Sequence, residues 1–480
     1  MSVARSRGIR RAIGATALAL ALAAPFGAGP ISAKPPEPVV RPAAKQPNIL
    51  FILVDDMGFG DLSLTGNRLV ATPNIDALAG DGMVMSQFYD AAPICSPSRA
   101  AFMTGQFPAE LGFTTYIGPR KRNRDYGQVD WLDPRIPTLP RALHGVGYAT
   151  GHFGKWHLGG GRDVGDAPLP AAYGFDESVT QFEGLGPRLL ENAPVTDLAK
   201  RSAALGGGPI EWMPRSQISG RFIDKALDFV ARHKDRPWYV QLWLEDVHTP
   251  WEPSPEQLAA VKGKGRNPTE DRYLAVLVAM DAGIGRMIGA LREAGELDDT
   301  LIVFTSDNGP TRGDKTPGLA GPWRGRKSSL YEGGVRQPLI LRWPGHIRPG
   351  SSDAASIAHA TDLFPTLARI GGAARPSGVD GIDIAAAWRG SPVRARPDIY
   401  THIGRPRSER EIGPLYSIRS GSWKLMMDRD GSGVELYNLT VDPGELHNLA
   451  ARETAVTRQL SARLARWIAG LPQPGPEVGR

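Results

Sequence analysis

Four predominantly apolar stretches punctuate the chain. Asn48-Ile-Leu-Phe-Ile-Leu-Val-Asp55 comes first; Trp238-Tyr-Val-Gln-Leu-Trp-Leu244, Leu301-Ile-Val-Phe-Thr-Ser306 and Leu339-Ile-Leu-Arg-Trp343 follow. Runs without alternation suit strands covered on both faces, as in a parallel sheet. Between them apolar residues recur at helical spacing. Asn74 to Met83 follows Pro73, Ile218 to His233 carries Phe222, Ile223, Ala226, Leu227 and Val230, and Tyr273 to Ala294 is longer. This alternation predicts an α/β fold, a large and mostly parallel sheet flanked by helices.

The texture changes in two places. Gly159 to Pro214 is rich in Gly, Pro and Ala with weak periodicity, which predicts a long surface excursion near the mouth of a site. Beyond about Pro376, Tyr416-Ser-Ile-Arg-Ser, Trp423-Lys-Leu-Met-Met and Val434-Glu-Leu-Tyr are short segments set between Gly and Asp turns. They predict a small antiparallel sheet, and Thr454 to Ile468 reads as an amphipathic closing helix. The expected division is a main α/β domain over 47–375 and a smaller C-terminal α+β subdomain over 376–480.

The N-terminus is unlike the rest. Arg10-Arg11 precede an apolar run from about Ala12 to Ala24, and Ile31-Ser32-Ala33 offers a cleavage site. The run is too short to span a bilayer, so residues 1–33 read as a signal peptide and 34–46 as a Pro-rich tether. No cysteine stands near the cleavage site to take a lipid, and no later run of about 18 apolar residues appears, so no stable membrane anchor is expected. The chain is therefore expected to be exported, and its Ala- and Arg-rich leader points to the periplasm of a Gram-negative bacterium. Setting aside the four arginines of the first 33 residues takes the formal charge from +6 to +2. That small surplus gives no reason to expect nucleic acid as a partner. Hydrophobic residues at 41% of 480 are ample for a core without disulfides, and one cysteine forbids an internal disulfide.

Polar residues collect just past the strand ends, where ligands bind in open α/β sheets. Asp55, Asp56, Asp307 and Asn308 make a hard oxygen set suited to Ca²⁺ or Mg²⁺. Turn and capping duty also explains such residues at strand ends; two pairs on two buried strands favour the metal. The lone Cys95 opens Cys95-Ser-Pro-Ser-Arg99, where Pro97 suits a first helical turn and Ser96 a cap. A cysteine at a helix N-terminus, with Arg99 one turn on, makes an anion pocket holding a nucleophile. Lys155 and His157 fall on one side of an extended segment, His248 follows a strand, and Arg326-Lys327 follow the Asp307 turn. Together they offer charge for a sulfate or phosphate and an acid for its leaving group.

Cys95-Ser-Pro-Ser-Arg99 with Thr104-Gly105 resembles the C-x-P-S-R-x₄-T-G signature of type I sulfatases, in the alkaline phosphatase superfamily. Gly154-Lys155-Trp156-His157-Leu158-Gly159 resembles the family's second signature. Ser306-Asp307-Asn308-Gly309, Lys327 with Tyr331 to Arg336, and Glu435-Leu-Tyr-Asn-Leu with Asp442-Pro-Gly-Glu445 also match, in the family's order, from about Asn48 to Leu449. The resemblance implies an alkaline-phosphatase-like fold and an arylsulfatase-like sulfuric ester hydrolase. It implies that a formylglycine-generating enzyme converts Cys95 to Cα-formylglycine, whose hydrate attacks sulfur and later expels sulfate. Asp55, Asp56, Asp307 and Asn308, with the modified Cys95, match the ligands of one calcium ion, and Asp307 also a helper in deprotonating the attacking hydroxyl. Arg99 and Lys155 match residues that hold the formylglycine oxygen, and His157 the base that releases sulfate. His248 matches the leaving-group acid, and Lys327 a sulfate contact sharing that role. The substrate is a sulfate-ester small molecule or a sulfated sugar, its pocket expected from Gly159–Pro214 and Tyr116–Arg124. Two rival readings stand: a phosphonate monoester or phosphodiester hydrolase of the same superfamily, and a non-catalytic, calcium-dependent binder of sulfated glycans.

Overall fold

The computed structural model describes residues 46–192, 197–313, 316–393, 395–404 and 412–473. The expected signal peptide, and all of the tether except Gln46, lie outside the described residues.

The Asn48–Val54 strand lies at the centre of the molecule, with all seven residues buried. Leu50, Ile52 and Val54 enter one apolar layer and Ile49, Phe51 and Leu53 the other, so both faces demand apolar side chains. Thr300–Ser306 pairs with it on one side and Trp238–Leu244 on the other, both parallel. Ala149–Lys155 continues the sheet beyond Trp238–Leu244. On the other flank Arg336–Arg342 is antiparallel to both Thr300–Ser306 and Met83–Tyr89, and Met83–Tyr89 takes two short parallel partners. Eleven strands result, and Arg336–Arg342 alone runs against the others. The chain reaches it from Ser306 without a long crossover helix, and a return on the same side of the sheet can only be antiparallel.

Helices cover both faces. Arg215–Arg232 and Pro268–Glu293 bury Ile218, Phe222, Leu277 and Ile284 in one layer. Cys95–Thr104 and Ala360–Ile370 bury Phe102, Leu363 and Phe364 in the other. The 26-residue Pro268–Glu293 helix is long and apolar enough by composition to cross a membrane, contrary to the reading that no later run qualifies. Its apolar face belongs to the core, and Asp281 on that helix receives hydrogen bonds from the Asn74 and Ile75 backbone.

Two sequence expectations need correction. The helix expected over Asn74–Met83 is Pro73–Gly80; Asp81 and Gly82 turn the chain, and Met83 starts a strand. The Gly159–Pro214 excursion is not mere loop. Glu177–Gln181, Arg188–Glu191 and Ile210–Met213 extend the large sheet in parallel. Strands of four or five residues between Gly and Pro leave too few positions for a period to register.

The small antiparallel sheet comprises Ile399–His402, Tyr416–Ser420, Trp423–Met427 and Glu435–Asn438. The closing helix Thr454–Gly470 lays Leu460, Leu464 and Ile468 against Ile418 and Leu425. Lys424 of this sheet reaches into buried surroundings, 3.0 Å from Glu332 and 2.9 Å from Glu445. Tyr89 from the large sheet donates to the same Glu332 at 2.6 Å, so one buried network ties the two sheets.

Candidate active site

Four adjacent parallel strands end at one place. Val54 stands opposite Ser306 in register, which sets Asp55-Asp56 beside Asp307-Asn308. Trp238–Leu244 leads to Glu245 and His248, and Ala149–Lys155 delivers Lys155 and then His157. This is the carboxyl edge of the sheet, and the outcome expected from the strand ends. Gly154 makes the approach possible. At φ 136° an added Cβ would lie 2.0 Å from the Trp243 carbonyl, so the strand carrying Lys155 packs only with glycine there. His157 has φ 54°, so the chain leaves the extended form after Lys155, and the two side chains share the site through a turn, not strand alternation.

Cys95 is the first residue of its helix, and Ile94 occupies the cap position without a side-chain bond. Ser96 accepts instead from the Ile117 amide at 3.0 Å, so it is not the cap. The Cys95 thiol donates to Asp55 Oδ1 at 3.2 Å and faces the ammonium groups of Lys327 at 3.4 Å and Lys155 at 3.7 Å. Burial, reinforced by Asp55, pushes this thiol far above its ordinary range despite the two lysines. An unmodified Cys95 is therefore held protonated, which is poor chemistry for a thiolate nucleophile.

The surrounding charges interlock. Lys155 pairs with Asp55, and Arg99 donates to Asp307 at 2.8 Å and to the Lys155 carbonyl at 2.8 Å. Lys327 sits 2.6 Å from Asp56. Burial alone would raise Asp55, but Lys155, His248, Arg99 and Lys327 hold it well below the usual carboxylate range. Asp307 is pushed up to about 7 by burial and by Asp55. Burial and Lys155 push His248 down to about 4, and burial with Lys155 and Arg99 pushes His157 well below its usual value. Both imidazoles are thus neutral in this site at pH 7. His248 Nδ1 lies 2.6 Å from the Thr249 carbonyl, which can only accept, so Nδ1 carries the proton and Nε2 is the open nitrogen.

The carboxylate and amide oxygens gathered here suit a hard cation, whereas the unmodified Cys95 sulfur and the His248 nitrogen beside them do not. Asp55, Asp56, Cys95 and His248 offer atoms all within 4.8 Å of one another, and the buried Asn308 Oδ1 has no partner. Asp307 stands outside that group of four. One of its oxygens accepts from Arg99 and the other from the Asp56 amide at 3.3 Å. Sequence reasoning named every member of the cluster, although it gave His248 a different task.

These groups open into a cavity of about 440 Å³. Seven non-glycine residues among those described have left-handed backbone, and six of them line it: Asp56, His157, Arg162, Phe182, Glu183 and Ser328. Each such residue costs on the order of 1–3 kcal/mol and survives where its surroundings fix it, typically at ligand clamps. Tyr116 also lines the cavity, as do Gln181 and Glu191 from the former excursion. The Gly159–Pro214 segment expected to shape the pocket does so, through Phe182 and Glu183 among others that the sequence did not single out, whereas Arg215 and Glu245 lie outside it and were missed. Glu245 follows a recognised strand and was within reach; Phe182 and Glu183 lie where no pattern was visible. Arg215 pairs with Glu191, lies 3.2 Å from Glu245, and donates to the His248 carbonyl at 3.2 Å.

Comparison with known proteins agrees with this geometry. The sulfatase family model matches residues 47–373, and that of the N-sulphoglucosamine sulphohydrolase C-terminal region matches 324–470. Arylsulfatase A of Homo sapiens is 31% identical over 463 residues, covering 87% of this chain and 86% of that protein. N-acetylgalactosamine-6-sulfatase of Sus scrofa is 34% identical, covering 82% and 76%. Among solved structures, that of Ps i-CgsB in complex with k-i-k-neocarrahexaose aligns with a TM-score of 0.77 at 27% identity, covering 90% of this chain and 94% of that one. The chain belongs to the sulfatase family of the alkaline phosphatase superfamily. It is a sulfuric ester hydrolase.

Proposed function

We propose that this chain hydrolyses the sulfate ester of a sugar with a Cα-formylglycine made from Cys95 and one bound calcium ion. The observation that carries the reading is Cys95 itself. It is buried as the first residue of its helix, 3.2 Å from Asp55 and within 3.7 Å of two lysines, in the Cys95-Ser-Pro-Ser-Arg99 stretch that resembles the formylglycine signature. Hydrated formylglycine supplies a geminal diol for attack on sulfur and for later release of sulfate. Asp55, Asp56, Asn308 and the modified residue 95 would hold the calcium, which supplies positive charge at the sulfate oxygens; Asp307, held by Arg99, adds its carboxylate from the same edge.

The remaining residues orient groups and move protons. Arg99 and Lys155 fix residue 95 and its flanking carboxylates. Lys327, kept charged by Asp56, contacts the sulfate and carries a proton throughout. His157, neutral and with a buried unpaired Nδ1, is the base that releases sulfate. His248 presents Nε2 toward the leaving oxygen. With its proton lost near pH 4 in the empty site, it becomes an acid only when bound anionic sulfate favours the imidazolium. The sugar is supported by the company this chain keeps: one relative is named for N-acetylgalactosamine and one solved relative held neocarrahexaose. A leader ahead of residue 34 would deliver the protein to the periplasm after a formylglycine-generating enzyme has acted.

The test joins two measurements on protein from a host that makes formylglycine. The Cys95 peptide is expected about 18 Da lighter than the cysteine form, and the protein is expected to release sulfate from hexose sulfates. Faster turnover of a matched phosphodiester would move the reading to that rival chemistry. An unmodified thiol with full sulfate release would overturn the proposed nucleophile.

A further inference from the structure

The wall of the cavity beyond the charged cluster has its own construction. Phe182 and Glu183 are consecutive left-handed residues at φ 46° and 59°, just after the Glu177–Gln181 strand. Phe182 is partly exposed, and its ring lies beside three of the charged site's residues. Its centroid lies 5.0 Å from the His157 ring, 6.4 Å from the His248 ring, and 4.9 Å from the Lys155 ammonium. Glu183 is 4% exposed and pairs through Oε1 with Arg162 Nε at 2.8 Å. Its other oxygen has no hydrogen-bond partner among the described residues, and neither does Gln181 Oε1, also buried at 4% exposure. Gly161 makes room for that carboxylate, since a Cβ there would lie 2.0 Å from Glu183 Oε2. All five residues line the cavity with Cys95 and His248.

Leaving buried acceptors unpaired costs free energy, about 1–3 kcal/mol each, and two consecutive strained residues add to it. A fold needing only a loop here would meet neither cost. Both are recovered when a ligand brings hydroxyl donors. A carboxylate beside a guanidinium presents an acceptor and donors side by side, the pattern that matches neighbouring hydroxyls on one ring. The Phe182 ring offers an apolar face next to it.

We infer that Arg162, Phe182 and Glu183, with Gln181, form the subsite for the alcohol half of the ester, and that it selects a ring bearing adjacent free hydroxyls. This rests on the sulfatase reading and deepens it. It predicts preference for a hexose sulfate over an ester of the same size that lacks hydroxyls. A ring with none leaves Glu183 Oε2 and Gln181 Oε1 unpaired in the complex, which is how polar sites reject apolar analogues.

The experiment uses the full mature chain with formylglycine confirmed by mass. The probes are galactose 6-sulfate, N-acetylgalactosamine 6-sulfate, and cyclohexylmethyl sulfate as the hydroxyl-free counterpart. The wild type is expected to favour the better hexose ester by at least about 100-fold in kcat/KM. Glu183→Ala is expected to shrink that ratio at least about tenfold, the worth of one hydrogen bond to a buried acceptor. Glu183→Gln, which keeps an acceptor oxygen, should recover part of it. Gly161→Ala, which keeps the carboxylate but displaces it, should shrink the ratio as well. No preference in the wild type, or an equal loss on all three esters in Glu183→Ala and Gly161→Ala, would overturn the subsite. Absence of sulfate release from every ester by the formylglycine-bearing wild type would instead overturn the sulfatase reading, a distinguishable result.

Discussion

Arg215 offers the sharpest test of how the leaving group departs. Its side chain is 10% exposed. It pairs with Glu191 and Glu245 and donates to the backbone carbonyls of His248 and Glu245 at 3.2 and 3.4 Å. It therefore ties the strand Arg188–Glu191 to the segment that carries His248. Arg215→Met removes both carbonyl bonds and leaves two carboxylates facing each other. Glu245 already stands at about 7 from burial, with Arg215 the main group opposing it, so the variant meets part of this loss by protonating Glu245. Breaking one side of a buried pair costs about 3–5 kcal/mol, and that proton brings the expected loss of stability to the lower end. The catalytic effect has a separate signature. General acid catalysis is worth about 10²–10⁴-fold, and a displacement near 1 Å at the acid can forfeit about 10². Esters of poor leaving groups need the acid most. Rates for a series from 4-nitrophenyl sulfate to alkyl sulfates are expected to fall less than about tenfold at the activated end and about 100-fold at the other. The plot of log kcat against leaving-group pKa should steepen, while Arg215→Lys recovers part of the slope. An equal loss along the series, or a loss confined to KM, would refute the positioning role and make Arg215 a structural or substrate contact.

The other outcomes follow from the same cluster and from the network between the sheets. Cys95→Ala should end turnover with less than about 1 kcal/mol lost in denaturant melts, because the change is small and lies at the cavity; residual activity above 1% of wild type would defeat the nucleophile assignment. Removing calcium by chelation should abolish sulfate release and lower the melting temperature, with calcium restoring both, whereas Asn308→Ala should weaken calcium binding measured by titration calorimetry at least about tenfold. Glu445 is pushed up to about 7 by burial, with Lys424 opposing and Glu332 reinforcing. Its folded pKa exceeds the ordinary 4.5, so its contribution is fully present below that value and lost as pH rises through 7. Glu445→Gln should therefore flatten the fall in melting temperature between pH 5 and 8, and an unchanged slope would show that another group titrates.

Much of this molecule is legible in the residues because one physical demand repeats. A strand covered on both faces must be largely apolar, and Asn48–Val54, Trp238–Leu244 and Thr300–Ser306 obey it, with Gln241 the one polar residue at a strand centre and the others at or beside the ends. The polar residues ending such runs are conspicuous for the same reason, so Asp55, Asp56, Asp307 and Asn308 announce a site before their registry is known. The antiparallel course of Arg336–Arg342 leaves no such mark. A buried strand is equally apolar in either direction, and only the connection decides.

The segment that walls the cavity was legible, but its individual residues were hidden, for the opposite reason. Its strands run only four or five residues, and the features that shape it are dihedral angles and absences. Phe182 and Glu183 adopt left-handed backbone that no propensity assigns to them, and Gly161 matters for the side chain it lacks. Local preference fails where surroundings override it, and they do so where a ligand must be held. The two parts of the site thus follow different rules. The sulfate end is written as motif, because fixed charges must meet fixed charges: Asp55 with Lys155, Asp56 with Lys327, Asp307 with Arg99. The alcohol end is written as strain, in left-handed backbone at Phe182 and Glu183 and a missing side chain at Gly161 that no charge pattern announces.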